Sequence, residues 1–343
     1  MQQIDFTVGD ERRFFDFIKR LDGSRKIALI SHTDLDGIAC AKIMNEVVNA
    51  DFLIFVNYSD INGDLIEELK KKEVTKVIFT DLNINRADLV KKIEDFAEIL
   101  IIDHHIFEVD FNSDKTIFLN TTGKGFSAGY VCYYLLSQIK DIDKYDWLIA
   151  CSSLADWCYK ENSSWMREVY GRYSEEFNAE DPRRGKFWDA AYSISLALIY
   201  FEGKEKEIYE MLTDKLEDVD KLKTFAQKVK GDIKKCIEDF KEKKEIFNER
   251  YFFEFKSQFS IKSLAINEIS TEHPDKTIFV IECNENNCAV SARRQDGNEN
   301  LPELLNKLVD GFENSDAGGH FKAAGANFPK EYYAEFKRRI KNL

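Results

Sequence analysis

The feature that most constrains this chain is the point where the apolar run Ala97-Glu98-Ile99-Leu100-Ile101-Ile102 breaks into Asp103-His104-His105. A short apolar run of this kind predicts a strand buried in a parallel sheet, and its end then delivers one acid and two imidazoles to the sheet's carboxyl edge. The chain has five histidines, so two side by side at such a place weigh heavily. Lys26-Ile27-Ala28-Leu29-Ile30-Ser31 is a second run of the same type and ends in His32-Thr33-Asp34-Leu35-Asp36-Gly37. Lys76-Val77-Ile78-Phe79-Thr80 is a third and ends in Asp81. Taken singly, the His-His pair is as well explained by a strand meeting a turn, and Asp-x-Asp-Gly by a loop that caps a helix. Three such endings in series are hard to explain as solvated turns. Read as an extended segment, His32, Asp34 and Asp36 project to one side, where close carboxylates repel unless a cation lies between them.

Helical patterns alternate with these runs. Residues 9–22 read as an amphipathic helix, and further helices are expected at 38–48, 63–72 and 86–96, with strands at 52–57 and 115–120. The alternation predicts a doubly wound parallel sheet over residues 1–160. Helices at 127–139 and 144–157 follow, the second carrying Asp156, an acid in an apolar stretch whose plain reading is a helix-end cap. Residues 161–249, rich in Lys, Glu and aromatics, are expected to form a helical connector. Within it, Leu216 to Phe247 is expected as one long helix with solvent-facing charge. Residues 250–343 are expected to form a smaller α/β domain, with strands at 251–255, 261–266, 276–282 and 288–294 and a helix from Leu301. Gly318-Gly319-His320 reads as a glycine-rich turn before a helix, where amides and a helix dipole favour an anion.

Composition narrows the function. A formal net charge of −13 disfavours sequence-independent wrapping of duplex nucleic acid. Seven cysteines with no Cys-x-x-Cys pair read as reduced, mostly buried thiols of a cytoplasmic protein, and exclude zinc-finger chemistry. The N-terminus shows no signal-peptide pattern, and no apolar run approaches the ~20 residues that span a bilayer, so no membrane partner is expected.

In order and spacing these motifs resemble the DHH phosphoesterase superfamily, in the branch with a DHHA1 C-terminal domain that includes RecJ-type exonucleases and nanoRNase/pAp-phosphatase enzymes. His32 to Gly37 resembles its first motif, Asp81 its second, Asp103-His104-His105 its third and Asp156 in Leu154-Ala155-Asp156 its fourth. Ser291-Ala292-Arg293 and Gly318-Gly319-His320-Phe321-Lys322-Ala323-Ala324-Gly325 match the motifs of the second domain. Two departures stand out. Only Thr33 separates His32 from Asp34, a closer spacing than in many nanoRNase-type members, and Ala317 stands where a further glycine is frequent.

The resemblance implies two divalent cations, manganese with magnesium as the alternative. His32, Asp34 and Asp81 would hold one, and Asp36, Asp81, His104 and Asp156 the other. Asp103 would orient a ligand histidine, and His105 would contact the scissile phosphate. Ser291, Arg293, Gly318, Gly319 and His320 would bind a neighbouring or terminal phosphate across a cleft between the domains. The implied function is hydrolysis of short RNA, short oligonucleotides or single-stranded DNA to mononucleotides. A pAp phosphatase or cyclic-dinucleotide phosphodiesterase would use the same site. A RecJ-like scaffold in a replication or repair complex is the non-enzymatic alternative, and a homodimer is compatible with all of these.

Overall fold

The computed structural model describes residues 3–21, 23 and 26–343. The chain resolves into two compact units, Met1–Ala226 and Gln227–Leu343. The stretch 161–249, expected as a connector, is thus divided between them.

The first unit is built on a five-stranded, all-parallel sheet: β1 (Ile27–His32), β2 (Phe52–Val56), β3 (Lys76–Thr80), β4 (Glu98–Asp103) and β5 (Thr116–Asn120), in the order β2-β1-β3-β4-β5. Its helices are α1 (Glu11–Lys19), α2 (Leu35–Val48), α3 (Gly63–Lys71), α4 (Ala87–Glu94), α5 (Ala128–Leu136), α6 (Asp146–Ala155), α7 (Ser163–Arg172), α8 (Gly185–Tyr200) and α9 (Glu205–Met211). Alternate strand residues enter two different cores. Leu29, Ile78, Leu100, Ile102, Ile117 and Leu119 pack with α1, α2 and α5–α9, whereas Ala28, Ile30, Val77, Phe79, Ile99, Ile101 and Phe118 pack with α3 and α4. Both faces are therefore apolar, which is why the strands read as unbroken apolar runs rather than alternating ones. The strand order reverses between β1 and β3, and in such sheets the crevice outside the carboxyl ends at that reversal is where ligands bind.

The second unit carries α10 (Lys223–Lys243), β6 (Glu245–Phe247), β7 (Arg250–Glu254), α11 (Lys262–Glu272), β8 (Thr277–Cys283), β9 (Asn287–Arg293), α12 (Leu301–Val309), β10 (Asp316–His320), β11 (Ala323–Pro329) and α13 (Tyr333–Lys341). The division between the units falls within α10. The strands form one mixed sheet in the order β10-β11-β9-β8-β7-β6, in which only β7 and β8 run parallel. Its core, from Phe252 to Ile340, is separate from those of the first unit.

Several expectations need correction. His32, Asp34 and Asp36 do not share an extended segment: His32 ends β1, Asp34 is the N-cap of α2, its carboxylate accepting from Gly37 N at 3.0 Å, and Asp36 lies in that helix's first turn. Residues 261–266 are not a strand. Ile261, Ala265, Ile266 and Ile269 recur at helical spacing and are buried, and α11 is the result. The expected helix from Leu216 to Phe247 is broken into a 3-10 turn (Leu216–Lys221), α10 and β6, because Glu245–Phe247 pairs with β7 through a turn at Asn248, which has φ +56°. Gly318-Gly319-His320 does not open a helix. It is an edge strand hairpinned onto β11, and the next α-helix starts only at Tyr333. Two of the seven cysteines are not free thiols: the β8–β9 register sets Cys283 opposite Cys288 and the pair forms a disulfide. Of the expected helix 9–22, Glu11–Lys19 is observed, and Asp22 lies outside the described residues, as do Met1 and Gln2. No helix among the described residues is long and apolar enough to cross a membrane.

Candidate metal centre

Strands β1, β3 and β4 are neighbours in the sheet, so their carboxyl ends bring His32, Asp81 and Asp103-His104-His105 to one place. The close join of β1 to α2 depends on Gly37, where a Cβ would lie 2.2 Å from the His32 carbonyl oxygen. Ser31 Oγ ties the join by donating to the Gly37 carbonyl at 2.7 Å, and lies 2.8 Å from Thr80 Oγ1 on β3. Asp156 arrives from the C-terminal end of α6.

Three sets of ligand atoms converge, each within 4.8 Å: His32, Asp34 and Asp81; Asp36, Asp81, His104 and Asp156; and Asp81, His104 and His105. Asp81 belongs to all three. His32 Nδ1 is 2.9 Å from Asp34 Oδ2 and 3.7 Å from Asp81 Oδ2. His104 Nε2 is 3.3 Å from Asp156 Oδ2, 3.4 Å from Asp81 Oδ1 and 3.9 Å from Asp36 Oδ2. Asp81 is 1% exposed and sits in the left-handed region, φ +58°. Both of its carboxylate oxygens, His32 Nδ1 and His104 Nε2 are buried, and the short contacts they make do not have hydrogen-bond geometry. Buried polar atoms are nearly always hydrogen-bonded, so donor atoms crowded together without satisfying one another fit ligands for a cation. Oxygen and imidazole donors without thiolate suit manganese or a similar divalent ion.

The electrostatics agree. Burial, then the charge of Asp156, pushes the Asp36 carboxyl up to about 7. Burial, then Asp34 and Asp36, carries Asp81 well above the carboxylate range. Burial pulls His32 down, but Asp34 and Asp81 outweigh it and lift the imidazole to about 10. His104 is raised further against the same pull of burial, by Asp156 and Asp81. Without a cation the cluster holds protons to balance its carboxylates.

Asp36 has a second task. Its Oδ2 accepts from Ala128 N at 2.8 Å, and its Oδ1 from Gly129 N at 2.9 Å and Ser152 Oγ at 2.6 Å. It therefore anchors the start of α5 as well as facing His104. Asp103 pairs with His105, whose Nδ1 lies 2.8 Å from Asp103 Oδ1, rather than with His104. Asn120 Nδ2 reaches the other Asp103 oxygen at 3.4 Å and the His105 carbonyl at 3.0 Å. Tyr58, just past the end of β2, was not foreseen. It stacks on His32 with centroids 4.8 Å apart, and its hydroxyl is 3.3 Å from His105 Nε2. Its place beyond a strand's carboxyl end was the available signal.

The other expected residues lie in the second unit. Register aligns Arg293 and His320 with Ala323, and Ser291 and Gly318 with Gly325. Residues opposed across a ladder share a face, so Ser291, Arg293, Gly318, His320, Ala323 and Gly325 lie on one face of the sheet. Gly319 takes the alternate position on β10, with φ +132°. Arg293 is partly buried, which lowers its pKa, and its Nε donates to Asn267 Oδ1 at 3.0 Å. No carboxylate among the described residues pairs with it.

The model of the DHH family, N-terminal domain, matches residues 26–159, and that of the DHHA1 domain matches residues 250–343. Among solved structures, RecJ in complex with Mn2+ from Thermus thermophilus is 15% identical with a TM-score of 0.71, over 99% of this chain and 55% of that one. The chain thus spans about half of that relative. An exonuclease RecJ bound to manganese is 14% identical with a TM-score of 0.69, over 99% of this chain and 96% of that one. PggH, a pGpG-specific phosphodiesterase from Vibrio, is 12% identical with a TM-score of 0.52, over 92% of this chain and 98% of that one. No curated protein matches in sequence.

Proposed function

The chain belongs to the DHH superfamily and carries a DHHA1 domain, and on that footing we propose that it is a manganese-dependent phosphodiesterase that releases mononucleotides from short RNA or single-stranded DNA. The observation that carries this reading is Asp81: buried, left-handed, shared by three ligand sets and with both oxygens unpartnered. In this reading His32, Asp34 and Asp81 hold one cation, and Asp36, Asp81, His104 and Asp156 hold the other. Two divalent cations, when bound, supply Lewis acidity and an activated water for in-line displacement at phosphorus.

The chain's own residues do the rest. Asp103 fixes the His105 ring by accepting from Nδ1–H, which leaves Nε2 beside the Tyr58 hydroxyl. In this reading the His105 ring, held at Nδ1, contacts the scissile phosphate through Nε2 as its charge develops. In the second unit the Arg293 guanidinium, which no carboxylate among the described residues pairs with, offers a phosphate-binding group of its own beside Ser291 and His320. These cations reconcile a protein of net charge −13 with an anionic substrate.

Short substrates accord with one structural neighbour of nearly the same length, a pGpG-specific phosphodiesterase, and exonuclease action accords with another, an exonuclease RecJ. The pAp-phosphatase and cyclic-dinucleotide phosphodiesterase readings share the site and stand as the alternatives. The scaffold reading is disfavoured because every ligand position is filled. Five cysteines that stay free accord with a cytoplasmic setting, and the Cys283–Cys288 disulfide does not.

The test is end-labelled digestion, with manganese, of RNA and DNA ladders from dinucleotides upward, beside pAp and cyclic di-AMP. Fastest loss of the shortest oligomers, abolished in Asp81→Asn, is expected. Silence on every substrate with metal demonstrably bound would transfer the weight to the scaffold reading.

A further inference from the structure

Trp157 follows Asp156 directly and is 50% exposed. The other tryptophans are treated differently: Trp147 and Trp165 are buried and Trp188 partly so. Trp157 has φ +58°, a region that a bulky side chain rarely enters and that clusters at functional sites. At this centre Asp81 shares it, φ +58° as well. The indole is nonetheless held. Trp188 meets it edge-on with centroids 6.0 Å apart, and Tyr159 lies 6.2 Å away. The Arg183 guanidinium carbon sits 4.8 Å from the ring centroid. In the run Arg183-Arg184-Gly185-Lys186, Arg184 pairs with Asp181 and Lys186 with Glu175, whereas no carboxylate among the described residues pairs with Arg183. Two other exposed large apolar side chains border the same centre, Ile106 (78%) immediately after His105 and Tyr58 (44%) against His32.

A tryptophan serving the fold would be covered. This one is fixed at its edges, half exposed, directly after the candidate ligand Asp156, and accompanied by Arg183, which no carboxylate among the described residues pairs with. Aromatic rings with a flanking arginine are what single-stranded nucleic acid stacks on.

We propose that Trp157 is the stacking platform for a nucleobase adjoining the scissile phosphate, with Arg183 the cation that flanks it. The inference rests on the phosphodiesterase reading and deepens it: the substrate must carry a base, not only a phosphate ester. It also gives part of the expected connector, the stretch holding Arg183 and Trp188, a share in the substrate site.

The experiment compares an adenine dinucleotide with the same molecule bearing one abasic residue. Trp157→Gly, which relieves the left-handed backbone, should raise KM for the dinucleotide roughly tenfold or more while kcat stays within about threefold. The penalty should shrink on the abasic substrate, and Trp157→Phe should recover most of the loss. Equal penalties on both substrates, or a loss in kcat alone, would overturn the platform. A second readout needs no turnover. AMP should quench tryptophan fluorescence in the wild type and much less in Trp157→Phe, and ribose 5-phosphate should do neither. Identical quenching in the two proteins also overturns it. If the wild type cleaves neither dinucleotide yet AMP quenches Trp157, the phosphodiesterase reading fails and the platform stands. If it cleaves both equally well, with no variant effect, the platform fails and the activity stands.

Discussion

Asp36 and Asp81 show what is at stake at the scale of single residues. Each is an acid whose pKa is raised in the fold, Asp36 to about 7. Such a group helps folding below its unfolded value, near 4, and that help is lost as the pH rises through the folded value. His32, lifted to about 10, likewise contributes below its ordinary range and loses that contribution as the pH passes about 10. The metal-free protein should therefore lose stability between about pH 4 and 7, where Asp36 gives up its proton. A divalent cation competes with those protons, so its stabilising effect should grow over the same interval. Differential scanning fluorimetry should show a small manganese-induced rise in Tm at about pH 5, a larger one at about pH 8, and almost none in Asp81→Asn. A rise independent of pH would contradict the ligand assignment. The acids and histidines of this cluster were legible because they terminate apolar runs. Tyr58 and Trp157 were not, since an aromatic beside a polar loop looks the same whether it faces a core or a substrate.

Among the elements, the join of α5 to the site is the most exposed to a small change. Asp36 takes both the Ala128 and Gly129 amides, and a Cβ on Gly129 would lie 2.7 Å from Asp36 Oδ1 and 2.6 Å from Ser152 Oγ. Gly129→Ala should cost about 1–3 kcal/mol through overpacking. It should also weaken manganese binding, because the side chain that must move carries a ligand oxygen. Thermal melts and a calorimetric metal titration test both effects, and unaltered metal affinity would show that Asp36 serves α5 alone. The parallel strands were legible in the sequence because both of their faces are buried. The edge strand at Gly318-Gly319-His320 was not: glycine lacks a side chain to show a period of two, and its pairing partner decides its conformation.

Across the whole molecule, the cores divide in sequence near the start of α10. Every residue of the two clusters flanking the parallel sheet precedes Thr224, apart from Phe225 at their margin, and the third cluster begins at Phe247. A fragment spanning 227–343 should therefore unfold cooperatively, with an enthalpy on the order of 80 kcal/mol for a unit of this size. Manganese should leave its transition in place while raising that of the full chain. A fragment without a cooperative transition in calorimetry would show that its core is not self-sufficient.

The sequence by itself determined the strand ends, the candidate ligand types they carry and the order of the motifs, because a buried strand must be apolar and three such strands in series ending in acids or imidazoles are hard to explain as solvated turns. Tertiary structure decided the rest. Only strand order could make β1, β3 and β4 neighbours and so place Asp81 between two histidines. Only packing could leave Arg293 without a carboxylate partner among the described residues, set Asp103 on His105 rather than His104, and hold Trp157 open beside Asp156. Those are relations between segments far apart in the chain, and local pattern carries no record of what a side chain will meet there.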